Sequence, residues 1–180
     1  MRQTWYWRMV DGPSAWTRRA PVVILATCGL LVSTYLAFFQ YGLIPAVWDP
    51  FFGHDSSRAV LTSAVSRALP VHDAALGAVA YLVELALEIA GGTDRWWRRP
   101  WIVLLLGLTA AAMALTALGL VVMQAVVVHH FCTLCLASAA ISLTVPAFVL
   151  HEVTASARVV LGAAASRRGT RRDEIAGVSA

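Results

Sequence analysis

Four long apolar runs alternate with polar segments along this chain. The first goes from Pro21 to about Leu43, long enough to cross a hydrocarbon core that needs roughly 20 helical residues. The second covers about Ala74 to Ala90, stops at Gly91-Gly92, and carries Glu84 and Glu88 one turn apart on the same face. The third runs from Trp101 to about Val128, with Gly107, Ala110, Ala111, Ala112 and Ala114 at its centre permitting close helix packing. A very short turn, His129-His130-Phe131, leads into the fourth, from about Cys132 to Leu150, where Pro146 predicts a kink.

The stretches between the runs complete the outline. Residues 44–72 form a long, mostly non-helical loop punctuated by Pro45, Pro50, Gly53 and Pro70, with short helical turns expected at 58–61 and 65–69. A loop of this length in a four-helix protein is a place to look for function. Asp94–Trp101 reads as a basic-aromatic turn at the membrane interface. The predicted fold class is therefore all-α: an integral membrane four-helix bundle over 21–150, with spans at about 21–43, 74–90, 101–128 and 132–150. An outer loop at 44–72 joins helices 1 and 2, a basic tail occupies 1–20, and 151–180 is expected to be part helix and then disordered. A basic tail before an apolar run also describes a signal peptide. The first run exceeds the 7–15 residues of such a core and no small-x-small site follows, so an uncleaved span is expected.

Composition agrees: 59% of the 180 residues are hydrophobic and 13% charged, about half the charged fraction of a soluble domain. The net charge of +4 brings no nucleic acid into the picture, because all fourteen basic residues are arginines and they sit at helix ends and tails. Arg2, Arg8, Arg18 and Arg19 precede the first run; Arg95, Arg98 and Arg99 join the second to the third; Arg158, Arg167, Arg168, Arg171 and Arg172 follow the fourth. With four spans these three segments share one face, which the positive-inside rule makes cytoplasmic. Both termini are then cytoplasmic. The long loop and the start of the fourth run face outward, where disulfides form and persist.

The candidate chemistry is a thiol pair. Cys132-Thr133-Leu134-Cys135 puts two sulfurs one helical turn apart. The first lies near a helix N-terminus, where unpaired N–H groups and the positive end of the dipole favour a thiolate. His129 and His130 add positive charge when protonated. Two other readings stand beside this one. Cysteine is a good small core residue, and His129, His130, Cys132 and Cys135 are all possible metal ligands, though a metal site needs ligands converging from more than one segment. Cys28 reads as an apolar filler in the first span.

Phe131-Cys132-Thr133-Leu134-Cys135-Leu136, opening the last helix of a four-helix bundle, resembles the vitamin K epoxide reductase family. So does the loop with Ser56-Ser57-Arg58-Ala59-Val60-Leu61-Thr62-Ser63, then Leu69-Pro70-Val71, then Leu76-Gly77-Ala78-Val79-Ala80-Tyr81. The resemblance covers about residues 20–150. It implies a membrane thiol oxidoreductase passing electrons from a thioredoxin-like partner outside the cytoplasm, through Cys132 and Cys135, to a quinone of the ubiquinone or menaquinone class. Cys135 would face the quinone and Cys132 would exchange with the partner. The resemblance also implies a quinone-binding set of Ser57, Asp73, Phe131 and Ala139, and no resident metal. Members typically carry a second cysteine pair in the outer loop. Here Trp48, before Asp49, and Ser56 stand in those positions, so either the partner's thiols reach Cys132 directly or the protein has another job on the same fold, such as a non-catalytic partner role. Trp48-Asp49-Pro50-Phe51-Phe52-Gly53 either caps the pocket or anchors the loop at the interface. Asp73 is read as a helix N-cap or as a protonated donor to a quinone oxygen. Glu88 is expected to pair with Arg95 or reach the interface, Gln124 to bond between helices, and Glu84 is a candidate on a proton route.

Overall fold

A computed structural model of the chain describes residues 12–63, 66 and 71–178, with side chains to Ser166. The tail tryptophans Trp5 and Trp7, and the turn expected at 65–69 apart from Ser66, lie outside the described residues. Within them the structure is all-helical. The long helices are α1 (Trp16–Gln40), α3 (Asp73–Ile89), α5 (Pro100–Met123) and α6 (Thr133–Val178), with the short helices α2 (Gly53–Leu61) and α4 (Arg95–Arg98) between them. A π-helical turn, Gln124–Val128, ends α5, and His129 then adopts φ 55°, a left-handed conformation that breaks the helix and turns the chain into α6.

Three of these helices, α1, α5 with its π-turn, and α6 as far as Ser166, are long and apolar enough to cross a membrane. Their outward faces say the same. Ile24 (62% exposed), Leu31 (65%), Leu108 (67%) and Leu115 (71%) point away from the protein, which water would penalise and lipid would not. The inward face of α1 carries Val22, Ala26, Gly29, Ser33 and Leu36. α3, at 17 residues, spans about 25 Å. The four long helices pack in a closed order, α1 against α3 and α6, and α5 against α3 and α6. Small residues let them approach: a Cβ on Gly29 would lie 2.4 Å from the Tyr81 ring, and one on Gly107 would lie 2.6 Å from Val153.

Three expectations are corrected. The loop carries a nine-residue helix, α2, in place of a short turn at 58–61; Asp55 in its first turn and Arg58 in its last complement the helix dipole. The chain beyond residue 150, expected to pass from part helix into disorder, stays helical to Val178, as its run of alanine, arginine and glutamate favours. At 46 residues α6 is about 69 Å long, more than twice the hydrocarbon thickness, so it extends well past the bundle. Cys28 faces outward instead of filling the core.

At the end of the bundle where α1 begins and α3 ends, charge is buried. Arg95 is 1% exposed. It grips Glu152 through Nε (2.6 Å) and Nη2 (2.8 Å), reaches Glu88 at 3.1 Å, and donates to the carbonyls of Leu87, Glu88 and Ala90. Arg19 bonds the Glu88 carbonyl, lies 3.7 Å from the Glu88 carboxylate, and stacks on Trp16. Two guanidiniums thus satisfy the unpaired carbonyls at the C-terminus of α3 and neutralise two carboxylates at once. The expected pairing of Glu88 with Arg95 is present.

Candidate functional site

The thiol pair sits at the opposite end. Cys132 is the residue before α6, and its carbonyl accepts the first helical bond, from Leu136 N–H at 2.9 Å. Its Sγ accepts the N–H of Cys135 at 3.3 Å. Cys132 therefore occupies the N-cap, with sulfur where serine or threonine would place oxygen, and Cys135 holds the third helical position whose N–H needs a partner. The Cys-x-x-Cys spacing is also the spacing of a helix cap. The lone pair the cap uses is the one a thiolate strengthens, so the helix start favours the charged sulfur.

Three groups hold this cap in place. Gln124, buried in the π-turn, accepts the Cys132 N–H through its Oε1 at 3.2 Å. Asp49 accepts the Thr133 N–H at 2.8 Å, the Thr133 hydroxyl, the Ser57 hydroxyl, and the N–H groups of Phe51 (3.1 Å) and Phe52 (2.9 Å). Ser56 donates to the Phe131 carbonyl at 2.7 Å and accepts the Phe131 N–H at 3.2 Å. Asp49 thus closes its own turn and fastens both the loop and α2 to the start of α6. Partial burial works against its charge, but the donors from Ser57, Thr133 and Phe52 outweigh it and hold the carboxyl well below the usual carboxylate range.

Around the sulfurs is an apolar cluster. Cys132, 0% exposed, packs with Leu36 of α1, Val47 of the loop, and Val60 and Leu61 of α2; Val32, Tyr35, Phe39, Ala74, Val128, Leu134 and Cys135 adjoin. Cys135 is half-buried. Phe52 lies against Phe131 at 5.6 Å between ring centroids, whereas Trp48 and Phe51 point outward. All three loop aromatics are exposed to some degree, and Phe52 alone is seen against a residue next to the thiol pair, Phe131. An open depression of about 490 Å³, lined by Tyr35, Val47, Trp48, Asp49 and His54 among others, adjoins the latch.

The residues expected from the sequence are placed unevenly. Ser57 is fully buried, with its hydroxyl on Asp49 and beside the Cys132 sulfur. Phe131 adjoins the pair through Ser56 and Phe52. Asp73 starts α3, and its Oδ1 accepts the Ala74 N–H (2.9 Å), the Ser66 hydroxyl (2.7 Å) and the Gln40 amide. The N-cap of α3 is His72 and Asp73 is the first helical residue, so the expected N-cap role of Asp73 is corrected: its carboxyl instead ties α1 and the loop to the start of α3. Ala139 is buried but lies outside the cluster around the sulfurs. His129 and His130 are exposed, and no group of three or more His, Cys, Asp or Glu side chains converges among the described residues. Gln124 does bond across to the next helix, as expected, but its partner is the thiol pair's own backbone. Reading the sequence alone misses Asp49 as the latch; its position before Pro50-Phe51-Phe52-Gly53 is the signal of a side chain that closes a turn.

The model of the Vitamin K epoxide reductase family matches residues 20–150. The chain belongs to this family. Comparison with curated proteins finds no match. Family membership and the three long apolar helices together mark a membrane protein of an oxidoreductase family.

Proposed function

We propose that this vitamin K epoxide reductase family member is a membrane thiol–disulfide oxidoreductase. Cys132 and Cys135 pass electrons from a thioredoxin-like protein outside the cytoplasm to a quinone of the ubiquinone or menaquinone class, supporting disulfide formation there. In this reading α3 is the fourth span, the arginine-rich tails face the cytoplasm and the latched loop faces outward. The observation that carries the reading is the Cys132 N-cap: a sulfur held by the Cys135 N–H at the start of an apolar-lined helix.

In the oxidised form Cys132 and Cys135 share a disulfide. A partner thiolate attacks the Cys132 sulfur, the Cys132–Cys135 bond breaks, and the electron pair leaves on Cys135. The partner's second thiol then attacks the mixed disulfide and releases Cys132, stabilised as a thiolate by the helix start. A bound quinone supplies the two-electron acceptor that lets the pair close again. The partly buried Val32, Tyr35, Phe39 and Ala74, which share the apolar cluster of Cys132 and Cys135, would hold the quinone's apolar ring. Ser56 and Trp48 replace the loop cysteines, so the partner must reach Cys132 itself. Cys132 is sealed, so segment 48–57 has to lift from the start of α6 for exchange.

The test is the redox state of the pair in native membranes, by thiol trapping with and without added quinone. The expected result is a Cys132–Cys135 disulfide that dithiol reduces and that returns only with quinone. In the same membranes Cys135→Ser should trap a partner on Cys132 as a mixed disulfide, while Cys132→Ser traps none. If both thiols stay reduced whatever the quinone, the enzyme reading fails and the fold serves a non-catalytic partner role.

A further inference from the structure

One buried acid belongs neither to the thiol site nor to the charged network. Tyr81, Glu84 and Glu88 follow one another at helical spacing on the inner face of α3, each 1% exposed. Glu88 belongs to the charged network at one end. The Tyr81 hydroxyl bonds the Ser138 carbonyl (2.8 Å), the Ser142 hydroxyl (2.7 Å) and the Ser138 hydroxyl (3.1 Å), and Ser138 stands one turn beyond Cys135 on α6. Glu84 lies between Tyr81 and Glu88 on the same buried face, one helical turn from each. Its Oε2 has no hydrogen-bond partner among the described residues.

No cation is left for it in that network. Arg19 and Arg95 are engaged by Glu88, Glu152 and the carbonyls at the end of α3, two positive charges against two negative. A carboxyl kept for structure would be partnered as Glu88 and Glu152 are. An unpaired charge in this interior is costly, which is the condition for a group that holds a proton at rest and gives it up only briefly. Tyr81 is deliberately accommodated: the absent side chain of Gly29 leaves the space its ring fills.

We propose that Glu84 is a proton-carrying residue, joining the charged network of Arg19, Glu88, Arg95 and Glu152 through Tyr81 and Ser138 to the neighbourhood of Cys135. The inference rests on the thiol-to-quinone reading above and adds the side from which protons come. The partner dithiol loses two electrons and forms a disulfide, and its two protons leave at the loop end. The quinone gains those electrons and, by way of Glu84, two protons taken up at the charged end, giving quinol. Two protons thus enter at one face for every two released at the other.

The experiment uses the full chain in liposomes containing a quinone and an internal pH dye, with a membrane-impermeant dithiol peptide added outside. Only molecules with the loop outward react. Wild type should alkalinise the lumen by about one proton per thiol oxidised. Glu84→Gln should still close the Cys132–Cys135 disulfide, showing that it is folded, while lumenal uptake per thiol falls at least tenfold; Glu84→Asp should restore part of it. If Glu84→Gln does not fold, Tyr81→Phe should show the same loss of lumenal uptake. Without quinone, the oxidised-minus-reduced infrared spectrum should contain a protonated-carboxyl band that Glu84→Gln deletes. Thiol oxidation without lumenal alkalinisation in wild type, an unchanged ratio in the variant, or a band that survives the substitution overturns the proton role and leaves the oxidase reading standing. If wild type oxidises no thiol at all, the oxidase reading falls and the proton role falls with it.

Discussion

Asp49→Ala should unlatch the loop from the thiol pair. The carboxylate accepts the Thr133 N–H and hydroxyl, the Ser57 hydroxyl and the N–H groups of Phe51 and Phe52. Hydrogen bonds to a charged acceptor contribute about 1.5–3 kcal/mol each where water cannot replace it. Asp49 is only partly buried, so water recovers most of the exposed Phe51 and Phe52 bonds on opening. Opening forfeits the Thr133 N–H, Thr133 hydroxyl and Ser57 hydroxyl bonds, and the partial exposure of Asp49 discounts each of them to about 1 kcal/mol or a little less. A net of about 2–3 kcal/mol follows, which at 1.4 kcal/mol per decade raises the open population about 30- to 150-fold. The assay is the rate at which a membrane-impermeant maleimide labels Cys132 in a Cys28→Ser background, with the pair reduced. Asp49→Ala should label about 30- to 150-fold faster than the parent, and Asp49→Asn, which can still cap, should fall between. A rate within threefold of the parent would refute the latch, because Cys132 would then be sealed by packing alone.

The same carboxyl sets a pH dependence. Its native value is depressed below that of the free side chain, about 3.9, so its contribution to the latch is fully present above pH 4 and is lost as pH falls toward the native value. Hydrogen-exchange protection of segment 44–61 should match at pH 7 and pH 5, after correction for intrinsic rates, and decline only below about pH 4. Gly29→Ala puts a Cβ 2.4 Å from the Tyr81 ring and should cost about 1–3 kcal/mol, read as a lower unfolding temperature in detergent. Gly119→Ala, with nothing within 4 Å, should be neutral or stabilise by up to about 1 kcal/mol by the same measurement. Arg95→Met leaves Glu88 and Glu152 to share Arg19 and should destabilise by about 3–5 kcal/mol; adding Glu152→Met should recover part of it, and equal losses for the single and double variants would contradict the pairing.

By itself the sequence determined the long helices and brought out the thiol pair. Runs of apolar residues longer than a bilayer is thick leave little choice but helix, because each backbone group must be satisfied within its own segment. The positions of α1, α5 and the start of α6 were legible to within a few residues for that reason, and so was the thiol pair, whose spacing is local. Tertiary structure decided what reaches across the bundle. Nothing in the order of residues says that Asp49 caps a helix that begins at Thr133, that Gln124 turns its amide onto Cys132, or that Arg95, besides the Glu88 partner that the spacing suggests, is gripped by Glu152. The Asp49–Thr133 and Arg95–Glu152 contacts join residues 84 and 57 positions apart, and their partners are chosen by helix packing. The two glutamates of α3 show the same division within one helix. They are alike in sequence, a turn apart on the same face, yet among the described residues Glu88 meets two arginines while Glu84 meets none, because the helix ends bring charge inward from the tails and turns.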